Sequence, residues 1–392
     1  MKLLRRQLPV SSPLTWRAVI AALGRHDPRS ALSASLGEQY GMALVLLTDS
    51  GTAALALALR FAATARPAGY CLLPAFGCYD LASAALAADV PVVLYDIDPT
   101  SLAPRLETLA PFLTSECAAL VVVDHFGLPT SLDEVRRLAT AAEIPVIEDA
   151  AQAAGARWDG LRAGYGTGAT VLSFGRGKGV TGGGGGALLI SHALSTNGSW
   201  SSPPDLPPIH VSRIVFTAKL LAQFALGRPG VYGFPARLPL LRLGDTVFRP
   251  PREPAGMSRE SGRVLSETIL LVDPEAVRRR VHAARLRAAQ LDVAPQSVVH
   301  SDARALPGWL RLPVLARHPG QLRRGEMARL GIASAYPLPL SDLRPLSPLL
   351  AVRGDHEGAR QLCRQLLTLP THGLLTETDL CDLEDWIRRN LR

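Results

Sequence analysis

Pro145-Val-Ile-Glu148-Asp149-Ala-Ala-Gln152 and Thr170-Val-Leu-Ser173-Phe-Gly-Arg176-Gly-Lys178 decide how this chain folds. In each, a short apolar run ends abruptly in polar or glycine-rich sequence. Five more runs of the same kind surround them, at Ala43–Leu47, Cys71–Pro74, Val90–Tyr95, Ala118–Val123 and Ala187–Ile190. Near-continuous apolar strands are what a mainly parallel sheet covered on both faces requires. Between two of them Ser131-Leu-Asp-Glu134 reads as a capping box. Val135, Leu138, Ala139 and Ala142 then follow at helical spacing. The economical solution is a doubly wound α/β unit.

Downstream, Asp273-Pro274-Glu275 predicts the start of a long basic helix to about Leu291, with Asp273 as its cap. Residues 309–315 and 330–336 predict strands. Thr376-Glu-Thr-Asp379 predicts a last helix with Leu380, Leu383 and Ile387 on one face. We divide the chain into a large α/β domain over 1–256, with an irregular apolar insertion at about 199–255, and a smaller α+β domain over 257–392.

Only three of the 42 basic residues are lysine: Lys2, Lys178 and Lys219. A lysine kept in so arginine-rich a sequence suggests a task that a guanidinium cannot perform, such as forming a Schiff base with a carbonyl. Lys178 precedes five glycines, Gly182 to Gly186. By itself it reads equally well as a loop lysine facing water.

With 392 residues, 47% hydrophobic and 19% charged, the chain is globular and not disordered. Five scattered cysteines give neither a disulfide framework nor a zinc site, which fits a reducing, cytoplasmic compartment. The apolar stretch Ile214–Leu243 is broken by charges and prolines, so no membrane span is expected. A formal charge of +8 suits an anionic ligand, but the dispersed arginines carry no nucleic-acid motif.

Four features follow strand ends, where open α/β sheets bind ligands. Ser50-Gly51-Thr52 opens an Ala/Leu-rich helix and reads as a phosphate cradle or as plain N-capping. Asp149 could be a metal ligand, a cap or the counter-ion of a cationic ring nitrogen. Ser173 offers a second phosphate contact, and the glycine run lets backbone pass close to a ligand. Neither a P-loop nor a Rossmann fingerprint fits these glycines. A lysine, a carboxylate and a helix-end cradle are together what pyridoxal 5'-phosphate requires.

The strings SGTAAL (Ser50–Leu55), LPAF (Leu73–Phe76), HFG (His125–Gly127), IEDAAQAAGA (Ile147–Ala156), SFGRGK (Ser173–Lys178) and LTLPTH (Leu367–His372) resemble the DegT/StrS-type sugar aminotransferases. Those are pyridoxal-phosphate enzymes of fold type I. The resemblance implies Lys178 as the Schiff-base lysine and proton-shift base, and Asp149 on the pyridine nitrogen. It also implies Gln152 at the ring's hydroxyl side and Ser50, Gly51, Thr52 and Ser173 at the phosphate. Tyr79 is implied as the stacking platform, unless Cys78 leaves that place bare. His125 and Arg176 are looser candidates on the substrate side. The implied activity moves an amino group, from glutamate, to a keto group of a nucleotide-linked sugar in polysaccharide or secondary-metabolite biosynthesis, within a homodimer. A non-catalytic relative, or an enzyme with a non-sugar acceptor, is the alternative.

Pro254-Ala255-Gly256 stands where such proteins carry Asn-Tyr-Arg, which reaches the neighbouring subunit's phosphate. Arg228, Arg237 and Arg242 are the expected substitutes. The segment carrying them, with Phe216, Leu220, Leu221, Phe224, Tyr232, Phe234, Leu238, Leu240, Leu241 and Leu243, is expected to pack on a partner subunit or to lid its pocket.

Overall fold

The computed structural model describes residues 5–196, 198–201, 204–237 and 246–392. Lys2, Leu238, Leu240, Leu241, Arg242 and Leu243, together with the side chain of Arg237, lie outside that description.

All seven apolar runs are strands of one sheet. They are β1 (Leu44–Thr48), β2 (Tyr70–Pro74), β3 (Val92–Tyr95), β4 (Cys117–Val123), β5 (Val146–Asp149), β6 (Ala169–Ser173) and β7 (Gly186–Ile190). Their order is β1-β7-β6-β5-β4-β2-β3, parallel except at β7, which runs against both β1 and β6. Every residue of β4 is buried, as a strand covered on both faces must be.

The parallel register brings Asp149 beside Val123, and the antiparallel one sets Gly186 between Thr48 and Ser173. The carboxyl ends of β1, β5 and β6 therefore share one edge. Helix α1 (Gly51–Ala65) leaves β1 at that edge with Ser50 as its cap.

A second, antiparallel sheet joins Leu312–Leu315, Leu366–Leu369 and Ala333–Ser334. The strand expected over 330–336 thus pairs over two residues only. One hydrophobic core runs without a break from the large sheet to Leu383, Trp386 and Ile387 of the last helix, Glu377–Asn390. Its capping box at Thr376 and Asp379 forms as expected.

Two helix starts differ from expectation. Helix Asp133–Ala141 is entered through Leu132 with no side-chain cap. The loop before it is pinned elsewhere, with Thr130 N donating to Asp124 Oδ1 at 2.9 Å, and Glu134 pairs with Arg137. Helix Val272–Val293 begins before Asp273, which turns to Arg162 at 2.9 Å instead of capping.

The insertion forms helix Arg213–Leu226. Its Leu220 packs with Ala18, Val19, Ala22 and Val264 of the same chain, and Phe216 and Phe224 lie partly buried against that cluster. A glycine-run neighbour explains the fit, since a Cβ at Gly183 would sit 2.8 Å from Leu220 and 3.0 Å from Phe216. The outward face carries Ile214, 79% exposed, with Val215 and Leu221. Among the described residues no helix is long and apolar enough to cross a membrane.

Candidate functional site

The first intrahelical bond of α1 runs from Ala54 N to Ser50 O at 3.1 Å, so the amides of Gly51 and Thr52 precede the ladder and stay open. The Ser50 hydroxyl is taken: it accepts from Ala53 N at 3.1 Å, the plain capping role. Among the described residues the Thr52 and Ser173 hydroxyls have no hydrogen-bond partner. A Cβ on Gly51 would lie 2.7 Å from Ser173 Cβ, so only glycine lets the helix end seat this closely on β6. Gly51, Thr52 and Ser173 together form a concave set of donors at the positive end of a helix, where a phosphate fits.

Lys178 follows Gly177, whose φ of 81° is a left-handed conformation that a side chain would strain. The turn is tied to the amino-terminal arm. Gly177 N donates to Ser12 Oγ at 3.0 Å, and Ser12 Oγ donates to Lys178 O at 2.7 Å. Among the described residues the lysine amine makes no ion pair. Asp149 accepts from Ala151 N at 3.1 Å. Burial raises its carboxyl, and the Lys178 ammonium pulls in the opposite direction. The two groups thus share one pocket without neutralising each other by contact. A half-buried carboxylate with no cationic partner in contact among the described residues suits a protonated ring nitrogen.

The remaining candidates divide. Gln152 is fully engaged: Oε1 accepts from Phe126 N at 3.1 Å and Nε2 donates to Tyr336 Oη at 3.0 Å. Tyr79 turns its hydroxyl to accept from Leu338 N at 3.0 Å and packs in the core. Cys78 lies in the field of Asp80, Lys178 and Asp149, and burial pushes its thiol up to about 12. The residue facing the charged groups is therefore the small one.

His125 packs against Phe76 at 5.4 Å between ring centroids. Burial alone lowers it to about 3, and neither ring nitrogen has a partner. The ring thus sits buried among aromatics with both nitrogens unpartnered among the described residues. Arg176 is exposed beside the lysine turn.

Sequence reasoning missed three residues. Tyr336 lies in the field of Asp149, Cys78 and Arg311. Arg311 is half-buried, and burial lowers it. Its one sequence signal was a charge between Leu310 and Leu312, inside an apolar run. Arg252 lies in the field of Asp49, next to the helix cradle. The segment replacing Asn-Tyr-Arg lines the same corner by backbone alone, with Asp49 N donating to Ala255 O at 2.8 Å. Arg228, an expected phosphate ligand, instead stacks on Phe224 at 4.8 Å.

Residues 26–194, which contain the cradle, Asp149 and Lys178, match the DegT/DnrJ/EryC1/StrS aminotransferase family. Over that stretch the chain is similar to this family. Among relatives of this family, the L-glutamine:2-deoxy-scyllo-inosose aminotransferase of Streptomyces fradiae is 26% identical over 69% of this chain and 58% of its own length. The UDP-N-acetyl-3-dehydro-alpha-D-glucosamine 3-aminotransferase of Acidithiobacillus ferrooxidans is 29% identical over 44% and 49%. The chain thus spans about half the length of these curated relatives. The fold extends further than the sequence match. The sugar aminotransferase CalS13 from Micromonospora echinospora superposes with a TM-score of 0.73 at 22% identity, over 98% of this chain and 100% of that one.

Proposed function

We propose that this chain is a pyridoxal-phosphate aminotransferase that moves an amino group, from glutamate or its amide, to the keto carbon of a nucleotide-linked sugar. One observation carries the reading: Asp149 ends β5 and Ser173 ends β6, five residues before Lys178, at the strand edge where helix α1 opens with the free amides of Gly51 and Thr52. The cofactor, when bound, supplies an aldehyde for the amino group and a ring that takes up electrons released at the substrate carbon.

The chain's own residues divide the rest. Gly51, Thr52 and Ser173 hold the phosphate, with Ser50 fixing the helix end that presents the amides. Asp149 keeps the proton on the ring nitrogen. Lys178 Nζ takes the proton from the substrate carbon and returns it. Cys78 would border the cofactor's place in keeping with its closeness to Lys178 and Asp149, and Gln152 fixes the hydroxyl of Tyr336. In this reading residues 1–256 carry the cofactor, while 257–392 bring Arg311 and Tyr336 to its rim. The homodimer of the family reading would use the outward face of helix Arg213–Leu226.

The reading is tested by adding pyridoxal phosphate and then glutamate to purified protein. Bound cofactor should give a visible absorbance that borohydride fixes to Lys178, and an amino donor should bleach it. A wild type that takes up no cofactor would end this reading. A spectrum unchanged by any donor would favour a binding protein built on the same scaffold. A free cyclitol ketone as acceptor is the second reading, suggested by the acceptor named for the Streptomyces relative.

A further inference from the structure

The turn that carries Lys178 has almost no hydrogen bonds of its own. Its neck is closed by Phe174 N donating to Gly185 O at 2.9 Å and Gly182 N donating to Phe174 O at 2.8 Å. Between those ends, the only hydrogen bonds of residues 175–180 among the described residues are the two to Ser12. Gly175, Gly177 and Gly179 give that stretch little stiffness, because a backbone without a Cβ has the widest freedom. A proton carrier on such a turn needs a tie from outside.

Ser12 supplies it. Its hydroxyl accepts from the amide entering Gly177 and donates to the carbonyl leaving Lys178, so one side chain spans both residues. Val10 of the same arm packs there too, since a Cβ on Gly177 would lie 3.3 Å from Val10 Cγ1.

The arm is itself fastened, and to the carboxyl-terminal part of the molecule. Arg5 donates to both oxygens of Asp379, at 2.7 and 2.6 Å. Gln7 N donates to Arg329 O at 2.9 Å, and the buried ring of His372 donates from Nε2 to Leu8 O at 2.9 Å. A Cβ on Gly331 would meet Leu8 O at 2.7 Å, so the arm lies hard against that backbone.

We propose that Ser12 is a positioning residue for Lys178: its hydroxyl, delivered by an arm anchored on residues 329–379, holds the lysine backbone so that Nζ stays aimed at the reacting carbon. The role of Lys178 as proton carrier rests on the aminotransferase reading; the clamp on its backbone does not. Proton transfer needs reacting atoms about 3–3.5 Å apart, and a misplacement of about 1 Å can cost about a hundredfold. A two-point clamp on the base's own residue limits that error without touching substrate or cofactor.

Two measurements on Ser12→Ala test this. In the cofactor-free protein, hydrogen exchange at the Gly177 amide should quicken about tenfold, because its acceptor is gone. In the cofactor-loaded protein, bleaching by glutamate should slow about tenfold at saturation, with the half-saturating glutamate concentration unchanged. The effect of deuterium at the glutamate α-carbon should grow, since proton transfer becomes the slower step. Ser12→Thr, which keeps the hydroxyl, should restore both. Arg5→Gln loosens only the far end of the arm and should match wild type. Unchanged exchange and bleaching in Ser12→Ala overturn the proposal. So does slower bleaching that comes with lost cofactor and no change in the isotope effect, which would make the arm a matter of folding alone. An Arg5→Gln as slow as Ser12→Ala would also overturn it, by assigning the effect to arm docking instead of the hydroxyl. Faster exchange in Ser12→Ala beside a wild type that takes up no cofactor would uphold the clamp and overturn the aminotransferase reading.

Discussion

The floor and the rim of this pocket are built on opposite principles. The floor is the shared edge of β1, β5, β6 and β7, where every close approach is spoken for: Gly51 against Ser173, Gly186 against Ser50, and Ser50 Oγ on Ala53 N. The rim is made by the amino-terminal arm, the short helix Pro229–Tyr232 and the segment entering strand Leu312–Leu315, where among the described residues the side chains of Arg6, Arg176 and Arg311 make no ion pair or hydrogen bond. A floor so closely packed positions a permanent cofactor, because rigid elements hold geometry without reorganising. A rim of unpaired charge serves a ligand that comes and goes. The difference predicts that floor substitutions affect cofactor and fold together, whereas rim substitutions act on substrate alone.

The largest break should come from Lys178→Ala, which should lower turnover by roughly a thousandfold or more, as loss of the proton carrier does. Lys178→Arg should fail as badly, since it keeps the charge but not the amine. Steady-state assay with a keto-sugar acceptor measures both, and an active arginine variant would remove Lys178 from the chemistry.

Next is Gly51→Ala. Its Cβ meets Ser173 Cβ at 2.7 Å, a contact between groups carried directly on backbone. It should cost about 1–3 kcal/mol in urea unfolding and release cofactor on dialysis. A stable, fully loaded variant would show the floor to be looser than drawn.

On the rim, Tyr336→Phe removes the acceptor of Gln152 Nε2, a loss of about 1 kcal/mol. It should raise KM for the acceptor with cofactor retention intact. A loss of cofactor instead would place Tyr336 with the floor.

Behind the floor, Asp124 and Glu148 lie buried on adjoining strands. Burial first, and then the charge of Glu148, raises Asp124 well above an ordinary carboxyl, and its Oδ2 has no partner. Burial raises Glu148 as well. A raised folded-state value means that the fold favours the protonated form. The stability from this pair is therefore full below the ordinary carboxyl range and fades as pH rises through the raised values. Wild type should gain stability on mild acidification from neutral pH, and Asp124→Asn should flatten that profile in urea midpoints.

The smallest effect on the fold is expected for Ile214→Glu with Leu221→Glu, within about 0.5 kcal/mol for such exposed positions. If the outward face joins two copies, sedimentation should nevertheless show dissociation. An unchanged mass would place any interface elsewhere.

The sequence by itself determined the sheet, because a doubly covered parallel strand must be apolar along its whole length and leaves an unmistakable run at each position. It also placed Lys178, Asp149, Gly51 and Ser173 at one edge, since each directly follows or ends such a run and strand ends share an edge in a parallel sheet. It misjudged the starts at Ser131, which gives helix Asp133–Ala141 no side-chain cap, and at Asp273, whose carboxylate pairs with Arg162 instead of capping. Only the tertiary structure decided that Phe216 and Phe224 turn onto their own chain, and that the amino-terminal arm clamps the Lys178 turn through Ser12. Ser12 and Lys178 are 166 residues apart in sequence. Periodicity reports which side of its own element a residue occupies, and it is silent on which distant element will lie across from it.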